Sequence, residues 1–193
     1  LDAPNSVFFK LINRPHPSIV FEDIINGLKE LRKYVRGKLA AQIMLLKDYE
    51  LGIKGVSKDM VIEIAKIINY VGFEEIYLNT PWRPPAEPHV EPLRPTELNS
   101  VSEMLKELLP NVKVLSFKYP KGLKVGKTLA KLSRDDIIGI LKRRPCRFTD
   151  LVSVLDLSTD NDLMRLRELI DELVNERIIK VIRFQGDTFY LSY

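Results

Sequence analysis

The chain reads as an α/β protein: a helix-and-strand repeat built on a parallel sheet, followed by a small winged helix-turn-helix domain. Three observations predict this. Residues 1–120 alternate helical and extended patterns, the βα repetition that places a parallel sheet inside a layer of helices. After a Gly/Lys-rich stretch at 121–132 the pattern changes to three helical segments and two terminal extended runs. The composition, 45% hydrophobic and 29% charged, is that of a globular domain. No apolar run approaches the ~20 residues that span a bilayer.

In the first part, Ser18 is placed to cap a helix running to about Val35, with Ile24, Ile25, Leu28 and Leu31 near helical spacing and Gly37 as its stop. Leu39–Leu46 is a compact apolar run, expected as a buried strand. Lys47–Gly55 reads as a polar loop. Ser57 caps the next helix, which ends at Gly72. Glu75–Asn79 is a second strand, leading into a proline-rich loop. Pro95 suits the first turn of a helix to about Leu109, and Val112–Phe117 is a third strand. Leu1-Asp2-Ala3 resembles the end of a preceding strand, and the first residue is not Met. The expectation is therefore the second half of a larger βα barrel or open sheet, with an upstream half missing through processing or truncation.

In the second part, Ser133-Arg134-Asp135-Asp136 opens a helix to about Arg143, which Pro145 breaks. Helices follow at Phe148–Leu155 and Asp160–Glu176. Extended runs at Ile178–Phe184 and Thr188–Ser192 flank Gln185-Gly186-Asp187.

Charge is distributed unevenly. The net charge is +4, but residues 1–120 hold 16 basic and 15 acidic side chains and residues 133–193 hold 10 and 11. The excess lies in Lys121, Lys124, Lys127 and Lys131 of the linker. One cysteine, Cys146, excludes an internal disulfide and any cysteine-held zinc or iron–sulfur site on this chain alone. It reads as a half-buried structural thiol, and a cytoplasmic location is expected. Gly122-Leu-Lys-Val-Gly126-Lys127-Thr128 has three residues between its glycines where a phosphate loop needs four. It is better read as a flexible basic linker. His16 and His89 lie in proline-rich loops without a helical-spacing partner, so no histidine metal site or hydrolase triad is expected. The third helix of the winged segment opens on Asp160-Asn161-Asp162. That suits protein docking better than duplex DNA, and leaves RNA contact to the basic linker.

Two proline-braced segments concentrate chemistry: Asn13-Arg14-Pro15-His16-Pro17-Ser18, and Leu78-Asn79-Thr80-Pro81-Trp82-Arg83-Pro84-Pro85-Ala86-Glu87. The second follows a strand, and α/β folds place their sites at the C-terminal ends of strands. With Leu1-Asp2-Ala3 and Met44-Leu45-Leu46-Lys47, in this order, these blocks resemble radical SAM proteins. The closest branch is the iron–sulfur oxidoreductases related to the tRNA-modifying wyosine-synthesis enzymes. The resemblance covers residues 1–118.

The resemblance implies the C-terminal half of a partial (β/α)6 barrel, with S-adenosylmethionine and a [4Fe–4S] cluster as cofactors of the intact enzyme. The cluster motif CxxxCxxC is absent here, so this chain is expected to be a fragment, a degenerate half, or a subunit completing a cysteine-bearing chain. It is expected to perform no radical chemistry alone and to contribute no catalytic or metal-binding residue. The cofactor residues it implies are Asp2 toward the SAM ribose or carboxylate, and Gln42 and Met44 on the fifth strand. Lys47 follows for an anionic group, and Asn79 and Thr80 where adenine or substrate lies. Met44 has the alternative of core packing. Substrate residues are Arg14 and His16 on one rim, Trp82 for stacking or loop packing, Arg83 as a fork for carboxylate or phosphate, and Glu87, which has the alternative of pairing with Arg83. Implied partners are the missing barrel half and an RNA or protein bound through the winged helix, with no membrane.

Overall fold

The computed structural model describes residues 1–116 and 132–193. They form two units, one built on 1–81 and 85–116, the other on 82–84 and 132–193. The basic linker up to Lys131, with Gly122–Thr128, and Phe117 at the end of the expected third strand lie outside the described residues.

The first unit contains, in chain order, α1 (Ser6–Asn13), α2 (Phe21–Arg32), β1 (Ala40–Met44), β2 (Leu46–Asp48), α3 (Lys58–Val71), β3 (Glu75–Asn79), β4 (Val90–Pro92), α4 (Pro95–Leu108) and β5 (Lys113–Ser116). Strands β1, β3 and β5 form one parallel sheet in that order. Ala40 faces Glu75 and Met44 faces Asn79, while Glu75 faces Lys113 and Leu78 faces Ser116. The order is monotonic, so two crossovers of the same hand place α3 and α4 on one face of the sheet. There Val61, Ile64 and Ile68 of α3 and Val101 and Leu105 of α4 form one core with Ile43, Ile76 and Leu78. Phe21 and Ile25 bring α2 into the same layer.

Local chemistry explains the elements. Ser57 Oγ accepts from Met60 N at 3.2 Å to start α3. Gly72, at φ 85°, ends it in the left-handed conformation that glycine adopts without strain. Pro95 occupies the first turn of α4, where its missing N–H costs nothing.

Five features differ from the sequence expectation. Ser18 does not cap α2: its N–H donates to His16 Nδ1 (3.3 Å), and the helix starts at Phe21. Nor does Gly37 close it. The helix ends at Arg32, whose guanidinium turns back to Val35 O at 3.0 Å. The stretch after Leu45 is not all loop, because β2 pairs antiparallel with β4. Helix α1 was unexpected; Asn5 Oδ1 caps it by accepting from Val7 N and Phe8 N, both at 3.1 Å. No strand is assigned at Leu1–Ala3, although the Leu1 amine donates to Gln42 O of β1 at 2.6 Å.

The second unit contains α5 (Arg134–Leu141), α6 (Phe148–Val154), α7 (Asp160–Asn175), β6 (Ile179–Phe184) and β7 (Asp187–Ser192). Capping boxes start α5 at Ser133 with Asp136, and α7 at Thr159 with Asp162. Ile137, Leu141, Leu151, Leu166, Ile170 and Leu173 are buried together. Gln185 and Gly186, at φ 50° and 84°, make the two-residue turn that joins β6 to β7. Cys146 pairs through its backbone with Tyr190, N to O at 2.9 Å and 2.7 Å, adding a bridge on the other side of β7. Its thiol is fully buried rather than half-buried, and burial pushes its pKa up. No helix among the described residues is long and apolar enough to cross a membrane.

Candidate functional site

Alternation along the strands gives the parallel sheet two unlike faces. One carries Ala41, Ile43, Ile76 and Leu78, all buried under helices. The other carries three ranks: Ala40, Glu75 and Lys113 at the N-terminal ends, Gln42, Tyr77 and Leu115 in the middle, and Met44 with Asn79 at the C-terminal ends. Ala40 and Gln42 are exposed, Met44 is half-buried, and Asn79 is buried. Parallel sheets normally bury both faces under apolar side chains. This second face instead sets Glu75, Lys113, Gln42, Tyr77 and Asn79 among Ala40, Leu115 and Met44.

Gln42, Met44 and Asn79 are therefore brought together, on neighbouring strands. Asn79 Oδ1 accepts from Thr80 N (2.9 Å), so its Nδ2 is the group it can turn to a ligand. Thr80 is drawn to the β4 side, where its Oγ1 accepts from Leu93 N at 2.8 Å. Asp2 Oδ2 accepts from Asn13 Nδ2 at 3.4 Å. Asp2 and Gln42 share a mostly apolar hollow of about 390 Å³ at the free edge of β1, with Phe9, Phe21 and Phe73.

The remaining candidates fall elsewhere. Lys47 is buried, and its Nζ donates to Glu97 Oε1 at 2.8 Å, so its charge is answered within the fold. The Arg94 side chain, then Lys47 and the Arg94 N–H, hold the Glu97 carboxyl down to about 2. Glu87 does not turn to Arg83; it accepts from Arg14 Nη1 at 3.2 Å. Arg14 itself ends α1 at φ 44°. Arg83 stacks on Trp82, guanidinium carbon to ring centroid 3.8 Å, and both group with the second unit. His16 holds Ser18, Nδ1 to Oγ 2.8 Å.

Two groups were not singled out from sequence. Tyr77 and Glu75 lie on the same face as Gln42 and Asn79, and a period-of-two reading from Asn79 would have found them. Tyr77 Oη donates to Glu75 Oε2 at 2.9 Å, and Lys38 Nζ donates to Glu75 Oε1 at 2.8 Å. His89 sits between Asp48 (Nε2 to Oδ2 3.5 Å) and Glu50 (Nδ1 to Oε2 3.4 Å). The residues meet only through β2–β4 pairing, and no sequence spacing signals them. Among the described residues no cluster of His, Cys, Asp and Glu is arranged to hold a metal ion.

No protein-family profile matches the chain, and no solved structure matches it. Over 192 residues it is 23% identical to UPF0026 protein MJ1312 of Methanocaldococcus jannaschii, a match covering 100% of this chain and 56% of that protein. Over 177 residues it is 29% identical to GTPase Obg of Brachyspira hyodysenteriae, covering 90% of this chain and 24% of that protein. The chain thus spans about half the length of the first relative and about a quarter of the second.

Proposed function

We propose that this chain is the C-terminal half of a radical SAM enzyme, a half (β/α) barrel whose open sheet face lines the S-adenosylmethionine and substrate pocket. The observation that carries this reading is the second face of a monotonic parallel sheet, where Gln42, Glu75, Tyr77 and Asn79 stand opposite the helix-covered core side. In a closed or nearly closed barrel that face is the interior, and the C-terminal ends of the strands are its working end. The free edge of β1, beside which Leu1 lies, is where an upstream strand would pair.

The iron–sulfur cluster does not fit this chain. Its single cysteine is packed in the core of the second unit, away from solvent. The cluster ligands belong to the upstream half or to another chain, and this chain performs no radical step by itself. What supports S-adenosylmethionine at this face is a pair of neutral amides on neighbouring strands, exposed Gln42 and buried Asn79, beside apolar Met44. When bound at a cluster, the cofactor supplies the power to abstract a hydrogen atom from substrate. The part played by Gln42 and Asn79 is to bind and orient, and Arg14 with Glu87 forms a charged rim. Cytoplasmic location belongs to the same proposal.

The second unit favours an added binding role. Three helices, a bridge and a hairpin are the parts of a winged helix, which serves here to recruit a protein or RNA. Asp160 and Asp162 at the start of α7 disfavour duplex DNA. A gel shift with tRNA whose affinity falls steeply with salt supports RNA; no shift assigns this unit to protein docking.

The deciding experiment is to read the coding sequence upstream of Leu1 and weigh the natural protein intact. A CxxxCxxC motif in the same polypeptide, with cleavage of S-adenosylmethionine by the reduced, cluster-loaded protein, is expected. A natural start at Leu1, with no cysteine-bearing partner on purification, overturns the proposal.

A further inference from the structure

We propose that the hollow framed by α1, the loop at 51–57, α3 and α4 binds a small molecule made of an apolar chain ending in a carboxylate. The hollow encloses about 680 Å³, a volume typical of small-molecule sites. It lies wholly within the first unit, on the helix side of the sheet. None of Asp2, Gln42, Met44 and Asn79 lines it, so this site and the S-adenosylmethionine reading stand or fall separately.

The walls are mainly apolar. Phe8 and Leu11 come from α1, Ile53 from the loop, Met60 from α3, and Val101 and Met104 from α4. Leu11 is 39% exposed, apolar surface that a ligand's chain would take out of water. Helix α1 is held over α3 by Asn5, whose Nδ2 donates to Glu63 Oε2 at 2.7 Å. The loop keeps the space unfilled. Gly52 and Gly55, at φ 71° and 153°, take conformations that favour glycine, and a Cβ at either would meet no atom within 4 Å. Along α4 the lining runs from Glu97 to Met104, about 10 Å by the rise of an α-helix, which suits a chain of moderate length.

Lys54 sets the charge. The charged side chains lining the hollow are Lys54 and Glu97. Glu97 is already answered by Lys47 at 2.8 Å and Arg94 at 3.0 Å. Among the described residues none forms an ion pair with the Lys54 ammonium, which is exposed. Ser57 Oγ accepts from Met60 N, which leaves its hydroxyl proton free to donate. Ser57 also opens α3, so the positive end of that helix lies on the same side; Asp59 in its first turn does not line the hollow. A cation and a hydroxyl donor beside an apolar wall select a carboxylate head over an amine.

The test is isothermal titration calorimetry of decanoate, below its micelle concentration, into the natural protein, with decylamine as the same chain under a cationic head. Decanoate is expected to bind, and decylamine to bind at least about tenfold more weakly. Lys54→Glu is expected to weaken decanoate about tenfold, whereas Lys58→Glu, the same change on an exposed lysine outside the lining, stays within about twofold. Ser100 lines the hollow and is exposed on α4, so the fold tolerates Ser100→Trp. Its indole occupies the space and is expected to cost another factor of about ten. No binding by the wild type, equal losses in Lys54→Glu and Lys58→Glu, decylamine binding as tightly as decanoate, or unchanged binding in Ser100→Trp each overturns the proposal.

Discussion

The two faces of one three-stranded sheet obey different rules. On the covered face, Ile43, Ile76 and Leu78 meet α3 and α4 and are almost completely shielded. On the open face, one residue away along each strand, Gln42, Glu75, Tyr77 and Asn79 are polar and differ widely in exposure. The difference separates stability from function within five-residue strands. Substitutions on the covered face are expected to act on folding, whereas under the proposed function those on the open face act on binding.

The largest effect expected is on the covered side. Leu78 is 0% exposed. Leu78→Ala removes buried methyl groups and leaves a hole between rigid neighbours, a change that costs about 3 kcal/mol. Denaturant unfolding followed by circular dichroism measures it in the first unit. A loss below about 1 kcal/mol, the scale of an exposed substitution, erases the contrast between the faces.

Much of this contrast was legible in the chain, though unevenly. The strand at Glu75–Asn79 matches its expected span, and α3 has the expected Ser57 cap and Gly72 stop. Both elements carry their signals locally: a short β-branched and aromatic run, and a capping side chain before an apolar stripe. Leu39–Leu46 was harder, since an apolar run reads as buried on both sides, yet Ala40 and Gln42 are exposed. Among the described residues of the first unit no helix packs on that side of β1, and no local pattern encodes it. Lys47 reads as a loop lysine because its partner, Glu97, lies 50 residues away. Ser18 reads as a cap because sequence does not show that His16 claims its N–H first. Helix α1 was overlooked although it is amphipathic and capped by Asn5, because eight residues are too short a window for a helical period to stand out.

The rim between the two faces titrates. Glu97 joins α4 to β2 through Lys47, and its pKa lies at about 2, lowered first by the Arg94 side chain and then by Lys47. A depressed folded-state value stabilises the fold above the ordinary carboxylate value of about 4.3, and that contribution fades as pH falls toward about 2. The wild-type Tm is therefore expected to drop more steeply across this acid window than that of Glu97→Gln. At neutral pH the variant is the less stable of the two, because buried Lys47 has lost its anionic partner. Parallel Tm-against-pH curves sink the idea that this pair responds to acid as a unit.

The smallest folding effect belongs to the open face. Gln42 is exposed and sits in the middle rank beside Tyr77. Gln42→Ala truncates a side chain that packs against no core, so unfolding is expected to shift by no more than about 0.5 kcal/mol. Under the proposed function binding responds instead, because an amide hydrogen bond to a ligand contributes roughly 1 kcal/mol, or about fivefold in Kd. Stability and S-adenosylmethionine affinity measured on the same preparation separate the two quantities. A variant that loses folding free energy in step with affinity makes Gln42 a structural residue. The open face would then differ from the covered one only in polarity.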